Sequence, residues 1–160
     1  REYSYIKFVQ EPSMKAVLSD YDNDPIKERI KLAVGEDEEG NPEEMVVFPA
    51  KKGGETQAIA YSASAKGYHD LIEVMIGVNP DGTLTGISIM THTETPGLGA
   101  RIVEPEFTDL FAGLDLDTAK LSAEGGKVDT LSGATFSTVG VVTAVQAALE
   151  QFPQIEKETF

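Results

Sequence analysis

Leu71-Ile72-Glu73-Val74-Met75-Ile76-Gly77-Val78-Asn79-Pro80-Asp81-Gly82-Thr83-Leu84-Thr85-Gly86-Ile87-Ser88-Ile89 decides the fold. Its first eight residues are rich in β-branched and apolar types, and Leu84, Ile87 and Ile89 continue that pattern after the break. Asn79-Pro80-Asp81-Gly82 between them is a turn signal, because Asp-Gly supplies the positive φ angles of a tight hairpin. Two antiparallel strands are expected. Upstream, Gln57 to Ala63 alternates and reads as a third strand. Met45-Val46-Val47-Phe48 reads as a fourth, closed by Pro49, and Lys51-Lys52-Gly53-Gly54 reads as a hairpin turn. Together these four segments predict a mainly antiparallel sheet.

Helical spacing appears at both ends of the chain. Asp24 suits an N-cap and Pro25 a first helical position. Ile26, Ile30 and Ala33 then share a face, and Gly35 stops the run. Val139, Val142, Val145, Leu149 and Phe152 define a long last helix, starting near Ser137 and ending at Pro153, whose apolar face should pack on the sheet. Ile102 to Phe111 reads as one short helix, or as two interrupted near Pro105. Glu36 to Glu44 is an acidic solvated connection, and Leu114 to Ala123 is loop-like. Arg1 to Gln10 fits a short strand or the tail of a longer helix. The class expected is α+β: a mainly antiparallel sheet packed against helices, in a single domain over residues 1–160.

Composition removes several function classes. Lys plus Arg is 13 and Asp plus Glu is 27, a formal net charge of −14. That balance opposes a nucleic-acid partner, whose binding is led by cationic contacts to phosphate, and adsorption to anionic lipid. There is no cysteine, which removes disulfides, thiolate metal sites and cysteine nucleophiles. No run approaches the ~18–20 apolar residues of a membrane span. Asp20-Tyr21-Asp22-Asn23-Asp24 fails as a calcium loop, since Pro25 stands where glycine is needed and Lys31 where the bidentate glutamate is needed.

Two loops concentrate hydroxyls and glycines: Thr91 to Gly99 and Asp129 to Thr138. His92-x-Glu94 is two ligands and not a metal site. Ser132 with His92 lacks the Gly-x-Ser-x-Gly elbow of a hydrolase. Neither loop carries the Gly-Lys-Ser/Thr of a Walker loop, and Gly97-x-Gly99 lacks the third glycine of a dinucleotide fingerprint. Asp129-Thr130-Leu131-Ser132-Gly133-Ala134-Thr135 admits two readings. It is a helix cap, with Thr135, Ser137 or Thr138 as N-cap and Gly133 relieving the turn. Alternatively it is a phosphate cradle at a helix N-terminus.

Asp129–Thr135 also resembles the flavinylation motif Asp-x-x-Ser/Thr-Gly-Ala-Thr of FMN-binding domains, found in the G subunit of the Rnf complex and the C subunit of the sodium-translocating NADH:quinone reductase. His92-Thr93-Glu94-Thr95-Pro96-Gly97-Leu98-Gly99 is similar to that family's His-x-Glu-Thr-Pro-Gly-Leu-Gly segment, and Gly67-Tyr68 matches as well. The resemblance covers most of Lys66 to Phe152 and is closest to the Rnf subunit. Residues 61–153 would form the FMN-binding core, while 1–60 match no motif.

The resemblance implies FMN held through a phosphoester on Thr135, with Ser132, Gly133, Ala134 and Ser137 shaping the phosphate loop. His92, Glu94, Thr95, Pro96, Gly97, Leu98 and Gly99 would lie against the flavin, with no metal. It implies an electron-transfer subunit of a membrane ion-translocating complex that connects ferredoxin and NAD, not an enzyme by itself. Its partners would be other redox subunits and a flavin transferase. An N-terminal membrane helix, expected ahead of Arg1, would hold the domain on the extracytoplasmic side. The alternatives are a stand-alone or quinone-reductase-type FMN carrier, and a non-redox phosphate-ligand or partner-binding domain.

Overall fold

The computed structural model describes residues 11–36, 39–40, 42–66, 71–91, 102, 105–130 and 135–160. Five strands form one antiparallel sheet in chain order: β1 (Ile30–Glu36), β2 (Pro42–Lys52), β3 (Glu55–Lys66), β4 (Leu71–Val78) and β5 (Leu84–Thr91). Helix α1 (Glu11–Val17) covers one face. The other carries α2 (Pro105–Thr108), a 3₁₀ turn at Asp109–Phe111, and the long α3 (Thr135–Thr159). The α+β expectation holds. Among the described residues no helix is long and apolar enough to cross a membrane.

The period of two along each strand sorts side chains between two cores. Ile59 and Tyr61 of β3, with Ile72, Val74, Ile76 and Val78 of β4, face α3. Ala58, Ala60 and Met75 face α1, where they meet Met14, Val17 and Leu18. Gly77 allows α1 to come close: a Cβ there would stand 2.6 Å from the Val17 carbonyl oxygen and 2.1 Å from Thr85 Oγ1. That hydroxyl donates to the Val17 carbonyl.

The expected hairpins form at Gly53-Gly54 and at Asn79–Gly82. Both glycines of the first have positive φ, 62° and 83°, and Gly82 has φ 90°. Several expectations need correction. The helix after Asp24 is a single turn: Asp24 Oδ1 accepts from the Ile26 and Lys27 N–H groups, and the Glu28 N–H donates to the Asp24 carbonyl. From Ile30 the chain becomes β1, because pairing with β2 (Ile30 opposite Val47) satisfies the backbone and packs the half-buried Leu32 against the larger core. Gly35 is no helix stop; it lies at the irregularity in that pairing. The acidic connection shrinks accordingly to 37–41, since Glu36 and Pro42 already pair.

Pro49 does not close its strand. The Pro49 carbonyl accepts from Asn23 Nδ2 at 2.9 Å, so that residue's backbone faces away from β3 and no ladder N–H is missed. Nor does Pro153 end the last helix. Pro153 is exposed, whereas Phe152 and Ile155 on either side are buried, and packing carries the helix past the absent N–H. Val139, finally, faces solvent. The buried stripe of α3 is Val141, Val142, Ala144, Val145, Ala148, Leu149, Phe152 and Ile155.

Candidate functional site

The N-terminus of α3 is placed by its packing. Phe152 lies at the β4–β5 turn, where a Cβ on Gly82 would be 3.8 Å from its ring. Further back, the Tyr61 hydroxyl donates to the Ala148 carbonyl at 2.6 Å. From Ala148 back to Thr135 is about 20 Å of helix, and from Tyr61 to Lys66 is about 17 Å of strand. The start of α3 therefore reaches the sheet end where Lys66 pairs with Leu71 and Glu73 with Thr91. Thr91, the last residue of β5, immediately precedes His92.

A hydrogen-bonded platform leads into α3. Asp115 Oδ1 accepts from the Asp117 and Thr118 N–H groups and from Thr118 Oγ1. The Thr118 hydroxyl is foremost in holding this carboxyl below the usual carboxylate range. The Lys127 N–H donates to the Thr118 carbonyl and the Ser122 N–H to the Val128 carbonyl. At Gly126 a Cβ would meet the Lys120 carbonyl oxygen at 2.1 Å, so only glycine fits. Gln146 of α3 fastens the platform, its Nε2 donating to the carbonyls of Leu116 (2.9 Å) and Ala119 (2.8 Å). The Leu84 N–H to Leu114 carbonyl bond and the Gly113 N–H to Leu84 carbonyl bond tie it to β5. The loop-like reading of Leu114 to Ala123 covers only the first part of this bonded segment. Its legible signals were the Asp115-x-x-Thr118 turn and Gly125-Gly126.

Asp129 and Thr130 leave the platform exposed. Thr135 opens the helical backbone, and Ser137 and Thr138 in the first turn are buried. Ser132, Gly133 and Ala134, the segment His92, Glu94, Thr95, Pro96, Gly97, Leu98 and Gly99, and Gly67-Tyr68 all lie outside the described residues. No acidic side chain occupies the first turn of α3, whereas α1 and α2 carry Glu11 and Glu106 in theirs. The leading N–H groups of a 25-residue helix thus have no carboxylate in their own turn. Such an end suits a phosphate, through its donors and through the dipole. Among the described residues no group of three or more His, Asp or Glu could hold a metal.

A family model for the FMN-binding domain matches residues 67–150. The chain belongs to the FMN-binding domain family. Within that family it is similar to the G subunit of an ion-translocating oxidoreductase complex from Methanosarcina acetivorans, at 36% identity over 115 residues, 71% of this chain and 61% of that protein. The G subunit of the proton-translocating ferredoxin:NAD(+) oxidoreductase complex of Clostridium ljungdahlii is 35% identical over 107 residues, 65% of this chain and 58% of that one. The chain spans about three fifths of the length of these curated relatives. It shares its fold with the crystal structure of NqrC from Shewanella oneidensis, at TM-score 0.63 and 24% identity over 88% of this chain and 77% of that one. The acid-free N-terminus of α3 is of the chemical kind that suits the phosphate of FMN.

Proposed function

We propose that this domain is an electron carrier holding FMN covalently through Oγ of Thr135, and that it serves as the G-type subunit of a membrane ion-translocating oxidoreductase complex. The observation that carries the reading is Asp129–Thr135, whose last residue opens the acid-free N-terminus of α3 within the span matched as an FMN-binding domain. A separate flavin transferase would join the two: the Thr135 oxygen forms a bond to the FMN phosphorus of FAD, AMP leaves, and the hydroxyl proton passes to solvent. The phosphodiester retains one negative charge, which the helix N–H groups and dipole stabilise. Asp129, one charge of like sign, orders the loop and does not contact the phosphate.

Bound FMN supplies one- and two-electron redox chemistry. This chain's own part is placement. The Tyr61–Ala148 bond and the Gln146 latch hold α3 against the sheet and the platform. His92, Glu94, Thr95, Pro96, Gly97, Leu98 and Gly99, which follow β5 in the chain, would line the ring, and Ser132, Gly133, Ala134 and Ser137 would shape the phosphate loop. The complex that connects ferredoxin and NAD, the extracytoplasmic side and the N-terminal membrane anchor all belong to this proposal. It is supported by the names of the relatives and by the paired motifs.

Co-expression with a flavin transferase tests it. The denatured protein should retain flavin fluorescence on a gel, and Thr135→Ala should lose it with an unchanged far-ultraviolet spectrum. Fluorescence that persists in Thr135→Ala would move the attachment elsewhere. A colourless wild-type protein would favour a non-redox ligand-binding role.

A further inference from the structure

Buried hydroxyls need partners, and among the described residues all but one have them. Ser13 accepts from Ser88 Oγ at 3.2 Å, Tyr61 donates to the Ala148 carbonyl, and Thr138 has a partner as well. Ser137 is the exception. It is 3% exposed, and its hydroxyl has no hydrogen-bond partner among the described residues. Burying such a group unpaired disfavours the folded state. Each Cα–Cβ bond of a helix tilts toward the N-terminus. Ser137, the third residue of α3, therefore carries its hydroxyl back over the turn that opens at Thr135.

That same turn lacks a cap of its own. The N–H groups of Thr135, Phe136 and Ser137 have no acceptor within the helix. The residue before them in the chain is Ala134, and alanine is a poor N-cap because its methyl group cannot accept an N–H. No carboxylate stands in the turn to compensate. Three backbone donors, one hydroxyl donor and the positive end of a 25-residue helix thus gather where the described residues supply no acceptor. A phosphodiester meets each of these needs, with two free oxygens and one negative charge. Phosphate carried on a side chain at a helix start takes up charge-assisted bonds of this kind.

We propose that the flavin phosphodiester on Thr135 is itself the N-cap of α3, accepting from the opening N–H groups and from the Ser137 hydroxyl. The inference rests on the flavin-carrier reading and adds a consequence to it: attachment completes the helix. The unmodified domain folds with the first turn of α3 prone to open, and the flavinylated domain has that turn closed.

The test is hydrogen–deuterium exchange, resolved to single amides, on the full-length protein made with and without a flavin transferase. Flavin should slow exchange from Phe136 to Gly140 about fivefold, the ratio that a good N-cap holds over alanine, and leave the β2–β3 hairpin unchanged. In the unmodified protein Ala134→Asp should slow the same amides comparably, because a side-chain acceptor then fills the cap. Also in the unmodified protein, Ser137→Ala should leave the urea midpoint in place, because no bond is lost. A fall of about 0.5 M would show that the hydroxyl already has a partner. That fall, equal exchange with and without flavin, or no response to Ala134→Asp each overturns the proposal. The mass of the same samples separates the two readings. Flavin on Thr135 with unchanged exchange sinks the cap alone, whereas protein from transferase-positive cells that carries no flavin sinks the attachment and the cap with it.

Discussion

Tyr61→Phe removes one oxygen from the centre of the larger core. The phenol is fully buried, and its hydroxyl spans from the sheet to α3, donating to the Ala148 carbonyl at 2.6 Å. Burial pushes its ionisation well above the ordinary phenol value, so it remains a donor throughout the working pH range. Losing one buried hydrogen bond costs about 1 kcal/mol net. The void left by the oxygen adds a few tenths, at about 24 cal/mol per Å³ of cavity. The Ala148 carbonyl keeps its place in the helix ladder and is not left bare, which holds the total to about 1–2 kcal/mol. With a urea m-value of about 2 kcal/mol/M for a domain of this size, the unfolding midpoint followed by circular dichroism should fall by about 0.5–1 M. An unchanged midpoint would refute the account of how α3 is held.

Other perturbations test neighbouring parts of the account. Gly77→Ala forces a Cβ against the Val17 carbonyl and Thr85 Oγ1; overpacking and the strained hydrogen bond should together cost about 2–4 kcal/mol in the same urea assay. Gln146→Ala releases both latching bonds to the platform. It should cost about 1–2 kcal/mol and speed amide exchange at Thr118 and Lys127 more than in the sheet. Acid should destabilise the fold through its turns. Asp81 is held below its ordinary value first by the Thr83 hydroxyl, and Asp115 likewise by that of Thr118. Both pKa values are depressed on folding, so their stabilisation is complete above about pH 4 and is lost as pH falls through the folded values. Asp81→Asn with Asp115→Asn should flatten the stability profile below about pH 4, and an unaltered profile would contradict these contacts.

What was legible in the sequence followed from strong local chemistry. Gly53-Gly54 and Asp81-Gly82 fixed two hairpins, because few residues tolerate positive φ. Those hairpins in turn ordered β2 to β5. The misreadings share one cause: tertiary pairing overrode a local signal. Asp24-Pro25 did start a turn, but from Ile30 onward β2 offered the backbone a pairing partner. Pro49 and Pro153 look like stops, yet each sits where its missing N–H faces away from a needed partner or where packing outweighs it. Val139 fits the helical spacing of Val142 and Val145 but lies beyond the edge of the buried stripe. Helix α1 went unread although Met14, Val17 and Leu18 mark its face. At the candidate site the sequence supplied the motif, and the fold supplied what no motif contains. The platform of 115–128, latched to α3 by Gln146 and tied to β5 through Leu84, leads the chain into the helix.

The claim that Thr135 carries the flavin comes down to one peptide. Trypsin should release Val128–Lys157 intact, since no lysine or arginine interrupts it. In protein from cells that possess a flavin transferase, its mass should exceed the unmodified value by FMN less one water. Fragmentation should place the addition on Thr135, not on Thr130, Ser132, Ser137, Thr138 or Thr143. An unmodified peptide from such cells, or an adduct on any of those other hydroxyls, would contradict the account.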